Sequence, residues 1–330
     1  MLVENIAIIG LGSIGKQHLR LLRALKPNIS IAVVRSGKGN VVQEEEMADR
    51  VLYSIQDAIK SGIQAAIIAT PAVCHIDQSI KLMSADIHLL LEKPISHNMN
   101  GIEKLLKIAK KTKAVGVVGY CLRHDPAAKK FKEFLRNEKT GQILHVQVDC
   151  GSYLPDWRPG HDYRQTTSSK RETGGGVLLE LSHELDYINW FFGKMQNVQA
   201  SINYSGTLDI DVEDSADMLF TSREGFPVYV HIDFNSHRNH RKCRVHCSKG
   251  DLVWNAVSKI VSWKPANGSE QVESFNKDND VMYREQLEHF LRCIELSEVP
   301  AVSLEDGVTA LQMVLAAHES HISGKRVALI

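Results

Sequence analysis

Apolar residues follow two rhythms along the chain. Over the first 120 residues, short runs that are apolar throughout (6–9, 31–34, 65–69, 87–91 and 115–119) alternate with stretches of helical spacing at 13–25, 73–83 and 99–112. Ile14, Leu19, Leu22 and Leu25 mark one face of the first such helix, and Ser54 with Asp57 reads as the capped start of another that ends at Gly62. Strands without a polar face are covered on both sides, which implies a parallel sheet with crossover helices, a doubly wound α/β domain.

After Arg123 the pattern changes. A helical stretch at 127–135 leads to alternation at 143–152, and Gly174, Gly175 and Gly176 open an apolar helix that runs to Phe192. Segments 217–221, 227–234 and 244–247 then alternate with no helix between them, the pattern of an antiparallel sheet. Helical patterns at 283–296 and 304–323 close the chain. The expected organisation is an α/β domain over 1–122 and an α+β domain over 123–330.

Composition narrows the partners. The 330 residues carry 39 Lys plus Arg against 39 Asp plus Glu, so there is no basic stripe to neutralise a nucleic acid or an anionic membrane. No apolar run approaches the roughly 20 residues that cross a bilayer, and Glu4 stands where a signal peptide would be basic. Six scattered cysteines without a CxxC pair fit a reduced, cytoplasmic setting. His237, His240, Cys243, His246 and Cys247 match no common zinc spacing, so no metal is expected.

Gly10, Gly12 and Gly15 form G-x-G-x-x-G between the first strand and the first helix, the dinucleotide fingerprint in its proper context. The N–H groups of Ser13, Ile14 and Gly15 at the helix start would face a pyrophosphate. At the end of the second strand, where an NAD-selective site places an acid, the chain reads Arg35 and Ser36, followed by Lys38. A guanidinium and a hydroxyl suit a 2′-phosphate, which favours NADP over NAD. Glu92, Lys93 and Pro94 end the fifth strand, and Thr70, Pro71 and His75 follow the fourth, in the layer where open α/β sheets bind ligands.

These motifs, with Gly119, Tyr120, Arg123 and Pro126, the triple glycine before His183 and Asp186, and the terminal segment from Glu305 to Val327, resemble the Gfo/Idh/MocA oxidoreductase family over nearly the whole chain. The resemblance implies a Rossmann domain followed by a domain with a large, mostly antiparallel sheet. It also implies hydride transfer at a sugar or cyclitol carbon, and assembly into dimers or tetramers. By the same resemblance Lys93 lies beside nicotinamide and substrate, the Lys93–Pro94 peptide is often cis, Glu92 meets the nicotinamide ribose, and Thr70, Pro71, His75 and Arg123 join the cofactor site.

Glu180, His183 and Asp186 are spaced three apart, on one side of the expected helix, as a proton shuttle with orienting acids requires. His183 is the expected general acid/base, with Lys93 polarising the reacting oxygen or sharing the proton relay. Position 179, where the family often has an acid, is Leu, and the nearest acid is Glu180. Trp157, Arg158, Tyr163 and Arg164, before the triple glycine, offer the rings and cations that recognise a sugar, with Tyr120 and Asp186 as further substrate contacts. The resemblance makes an amino or nucleotide sugar of surface polysaccharide synthesis plausible. It leaves two alternatives: a glycoside hydrolase that retains its nicotinamide, and a non-catalytic cofactor sensor.

Overall fold

The computed structural model describes residues 2–37 and 42–329; Lys38 lies outside them. The chain divides into two compact units, the first comprising residues 1–121 and 279–308, the second 122–278 and 309–330. Residues 279–308, expected in the second domain, thus group with the first unit.

In the first unit, β1 (Asn5–Ile9), β2 (Ser30–Val34), β3 (Arg50–Leu52), β4 (Ala65–Ile68), β5 (His88–Leu91) and β6 (Gly116–Val118) form an all-parallel sheet in the order β3-β2-β1-β4-β5-β6. The order reverses between β1 and β4, the switch point at which dinucleotide folds open their crevice. Helices α1 (Ser13–Leu25), α2 (Ile55–Lys60), α3 (Ala72–Met83) and α4 (Ile102–Lys111) make the crossovers. Ser54 accepts the Asp57 N–H and starts α2 as its sequence predicts.

Ile6, Ile8, Leu19, Leu22, Ile31, Val33, Ile67 and Leu90 fill one core layer, each worth roughly 1.5–3 kcal/mol of burial. Leu287, Phe290, Leu291 and Ile294 join the same core, and this apolar face draws residues 279–308 into the unit.

In the second unit, α5 (Pro126–Leu135) starts at Asp125, whose carboxylate accepts the Ala127 N–H at 2.8 Å. Nine strands follow in one sheet: β7 (Ile143–Gly151), β8 (Met195–Asn203), β9 (Ser215–Ser222), β10 (Pro227–Asp233), β11 (His240–Cys247), β12 (Gly250–Asn255), β13 (Ile260–Pro265), β14 (Gln271–Ser274) and β15 (Val327–Ala328). Every neighbouring pair is antiparallel except β7 with β10.

The inward face, with Val146, Val148, Val230, Ile232, Cys243, Val245 and Trp254, is fully buried. Phe131, Tyr187, Phe191 and Trp254 meet over it, ring to ring at 5.0 to 6.2 Å. The outward face is polar. Asp217, His231 and Asp149 lie side by side on β9, β10 and β7. The pseudo-zinc cluster is divided between the faces: Cys243 and Cys247 are buried, while His246 turns outward to Asp251 at 2.8 Å.

The apolar stretch after the triple glycine is two helices, α6 (Val177–Glu180) and α7 (His183–Phe192), interrupted at Leu181 and Ser182. Ser182 Oγ donates to the Leu179 carbonyl at 2.8 Å inside this corner. The single helical row of Glu180, His183 and Asp186 is therefore not formed: Glu180 ends one helix and His183 begins the next.

Helices α8 (Asp280–Glu295) and α9 (Leu304–Ser323) complete the chain. Among the described residues no helix is long and apolar enough to cross a membrane.

Candidate functional site

The fingerprint glycines are fixed by sterics. Gly10 has φ +90°, and a Cβ there would lie 2.8 Å from the Ala69 carbonyl; one on Gly15 would lie 2.1 Å from the Gly10 carbonyl. A Cβ on Gly12 would meet nothing within 4 Å, so the backbone is open on the side from which a pyrophosphate approaches. The start of α1 has no side-chain cap and no acid in its first turn, so its N–H groups and dipole are available to an anion. These residues fit a dinucleotide.

At the end of β2, Arg35 is ion-paired with Glu45, both largely buried, and Lys16 reaches Glu44 at 3.0 Å. The 3-10 turn Gln43–Met47 brings two carboxylates to the place where sequence reading found only cations.

The Lys93–Pro94 peptide is cis. Glu92 is 6 % exposed, and its Oε1 lies 2.7 Å from Nε2 of the fully buried His18. Gly119 makes room for that carboxylate, since a Cβ there would be 3.0 Å from its carbon and from both oxygens. Thr70 Oγ1 donates to Gln78 at 2.7 Å. His75 is buried, with Nδ1 2.8 Å from the Pro94 carbonyl and Nε2 2.8 Å from the Thr70 carbonyl. Both ring nitrogens are thereby committed to backbone carbonyls, and His75 supports the turn. Tyr120 has no exposed surface and is a core residue, not a substrate contact.

In the second unit, His183 is at the first position of α7 and 9 % exposed. Arg123 Nε and Nη2 donate to the two carboxylate oxygens of Asp186 at 3.0 and 2.6 Å, a buried fork that joins a residue expected at the cofactor to one expected at the substrate. In the loop before the triple glycine, Trp157 Nε1 donates to Ser152 Oγ at 2.7 Å and Tyr163 Oη to the Leu208 carbonyl at 2.8 Å. Arg164 is held by Asp162 at 2.9 Å. Among the described residues Arg158 makes no ion pair or side-chain hydrogen bond.

The triple glycine is built around an acid that sequence reading missed. Gly176 has φ +110°, and a Cβ on it would fall 2.3 Å from Glu213 Oε1. That oxygen accepts the Leu178 N–H at 3.2 Å, and burial pushes the Glu213 carboxyl up to about 7.

Residues 4–120 match the oxidoreductase family with an NAD-binding Rossmann fold, and residues 128–253 match the GFO/IDH/MocA C-terminal domain. Myo-inositol 2-dehydrogenase of Thermotoga maritima is 25% identical over 336 residues, covering 96% of each chain. Inositol 2-dehydrogenase of Rhizobium meliloti is 24% identical over 338 residues, covering 98% of each. Among solved structures, levoglucosan dehydrogenase in complex with NADH and levoglucosan superposes with a TM-score of 0.88 at 17% identity, over 99% of both chains. The WlbA dehydrogenase of Bordetella pertussis, in complex with NADH and UDP-GlcNAcA, does so at 0.85 and 18%, over 100% of this chain and 99% of that one. An open glycine cradle on a six-stranded parallel sheet, a cis Lys-Pro turn at the end of its fifth strand, and both domain matches make this chain a member of the Gfo/Idh/MocA family of NAD(P)-dependent oxidoreductases.

Proposed function

We propose that the protein oxidises or reduces one carbinol carbon of a sugar or cyclitol, with Lys93 and His183 as its catalytic side chains. The observation that carries this reading is the built Glu92-Lys93-Pro94 turn at the carboxyl end of β5, braced by two buried histidines. A bound nicotinamide supplies a hydride acceptor or donor at its C4 carbon. Around it this chain must hold the sugar, stabilise charge on the reacting oxygen and move one proton.

In the oxidative direction the carbinol C–H bond breaks with transfer of a hydride, the O–H proton passes to His183, and the C=O bond forms. Lys93 stabilises the negative charge that grows on that oxygen. Glu180, on the other side of the corner from His183, remains a candidate to orient the imidazole. Arg123 supports the site through Asp186, whose carboxylate it engages at both oxygens.

At the adenosine end the Arg35–Glu45 pair supports NAD, against the NADP preference that a lone arginine suggests. A 2′-phosphate there would have to displace or share with a carboxylate, whereas a 2′-hydroxyl gains an acceptor. Trp157, Arg158, Tyr163 and Arg164 remain the proposed sugar contacts. Arg158 has its guanidinium to spare for a carboxylate or phosphate, which favours a sugar acid or nucleotide sugar over a neutral sugar.

The outward sheet face suits a second copy of the chain, as a homodimer or homotetramer. His231 is clamped there by Asp233 at 3.3 Å and Asp217 at 2.8 Å, and these bonds, opposed by partial burial, raise it to about 9. Light scattering at micromolar concentration checks the assembly, and a monomer would count against it.

The function is tested by supplying NAD with myo-inositol, levoglucosan and UDP-GlcNAcA in parallel and following nicotinamide absorbance. NADH formation with one class supports the reading. Cleavage of a chromogenic glycoside with no net NADH points instead to a nicotinamide-retaining hydrolase, and inertness towards all of them to a cofactor sensor.

A further inference from the structure

Two buried histidines bracket Lys93. His18 comes from α1, three residues after Gly15, and is fully buried; its Nε2 lies 2.7 Å from Oε1 of the residue before Lys93. No group meets His18 Nδ1 among the described residues, so the polar anchor of the ring is its Nε2–H, which donates to the Glu92 carboxylate.

His75 comes from α3 and is 1 % exposed; its Nδ1 lies 2.8 Å from the carbonyl of the residue after Lys93, and its Nε2 an equal distance from the Thr70 carbonyl at the end of β4. A neutral ring donates to one of these carbonyls, an imidazolium to both, and neither form leaves a ring atom for a ligand. Gly119 closes the third side, because anything larger than hydrogen would press on the Glu92 carboxylate.

We infer that His18 and His75 are positioning residues for Lys93: one fixes the side chain that precedes it, the other the backbone that follows it, and together they set where the ammonium group is presented. The inference rests on the oxidoreductase reading for the role of Lys93. It also extends to the cofactor, because Glu92 is on the β4-β5-β6 half of the sheet, which in a doubly wound fold carries the nicotinamide end, while β1-β2-β3 carries the adenosine end. A misplacement of about 1 Å at such a turn costs up to about 100-fold in rate.

The test compares amides of different reach. In His18→Gln the amide nitrogen takes the place of Nε2, and in His75→Asn the place of Nδ1; His18→Asn and His75→Gln carry the same group one methylene short or long. All four remain polar, so folding is not what separates them. Binding of NAD and of ADP, which lacks both the nicotinamide and its ribose, is measured by calorimetry, and Lys93 acetylation by acetic anhydride is followed by peptide mass spectrometry.

The matched amides are expected to stay within about threefold of wild type. The mismatched ones are expected to lose about tenfold in NAD affinity and to change the Lys93 acetylation rate, with ADP binding held within twofold. Equal behaviour of both amides at each position, or equal loss of NAD and ADP binding, overturns the inference. Wild-type protein that binds NAD but turns over no polyol would remove the oxidoreductase reading, and the two binding measurements would still decide whether the histidines position this turn.

Discussion

Arg123 and Asp186 are 63 residues apart in sequence and meet through two parallel hydrogen bonds of 3.0 and 2.6 Å, with side chains 6 % and 2 % exposed. Breaking such a pair leaves a buried charge without its partner, which costs about 3–5 kcal/mol. Asp186→Ala is therefore expected to lose that much in urea unfolding, and the double variant Arg123→Met, Asp186→Leu to recover most of it. A single variant as stable as wild type would show that the pair is not a structural unit.

This pair also shows what the sequence concealed. Both residues stood out as motif members, but each was assigned to a different ligand, because a motif gives no hint that two of its members neutralise each other. The parallel sheet was legible: Ile6, Ile8, Val33 and Ile67 belong to strands apolar on both faces, and Gly10, Gly12 and Gly15 admit few other readings. The corner at Leu181 and Ser182 was not legible, since apolar residues continue through it and the break rests on local bonds that no periodicity records. The apolar face of α8 announced burial without saying in which unit. His18 shares the buried face of α1 with Leu19 and Leu22, and a polar residue on that face is a signal that could have been read.

If His183 carries the proton, His183→Ala lowers kcat by about 100-fold or more and leaves the Kd for NAD within twofold. Stopped-flow turnover together with calorimetry separates the two quantities. Unchanged turnover would remove His183 from the mechanism.

Glu213 makes stability depend on pH in a defined window. Its carboxyl titrates from 4.5 when unfolded to about 7 when buried beside Gly176, so the folded state holds the proton more tightly between those values. This contribution is present in full below about pH 4.5 and is lost as pH rises through about 7. Glu213→Gln keeps a neutral acceptor for the Leu178 N–H and should exceed wild type by on the order of 3 kcal/mol at pH 8, with no gain at pH 4. Chemical denaturation at both pH values checks this, and a gain that is the same at both would refute it.

Glu45 should control the cofactor. With the carboxylate gone, Arg35 can engage a phosphate, so Glu45→Gln is expected to improve NADPH binding relative to NADH by about tenfold, the scale of one charge-assisted contact. Fluorescence titration with both dinucleotides measures the ratio. A ratio that does not move would leave the Arg35–Glu45 pair outside the cofactor site.

The central claim, that this chain moves a hydride between a sugar carbon and nicotinamide, is tested most directly with a substrate from the panel deuterated at the reacting carbinol carbon. Mass spectrometry of the released cofactor should find one deuterium on NADH for each ketone formed, with that transfer lost in Lys93→Ala. Substrate consumed without deuterium in released NADH would contradict the account.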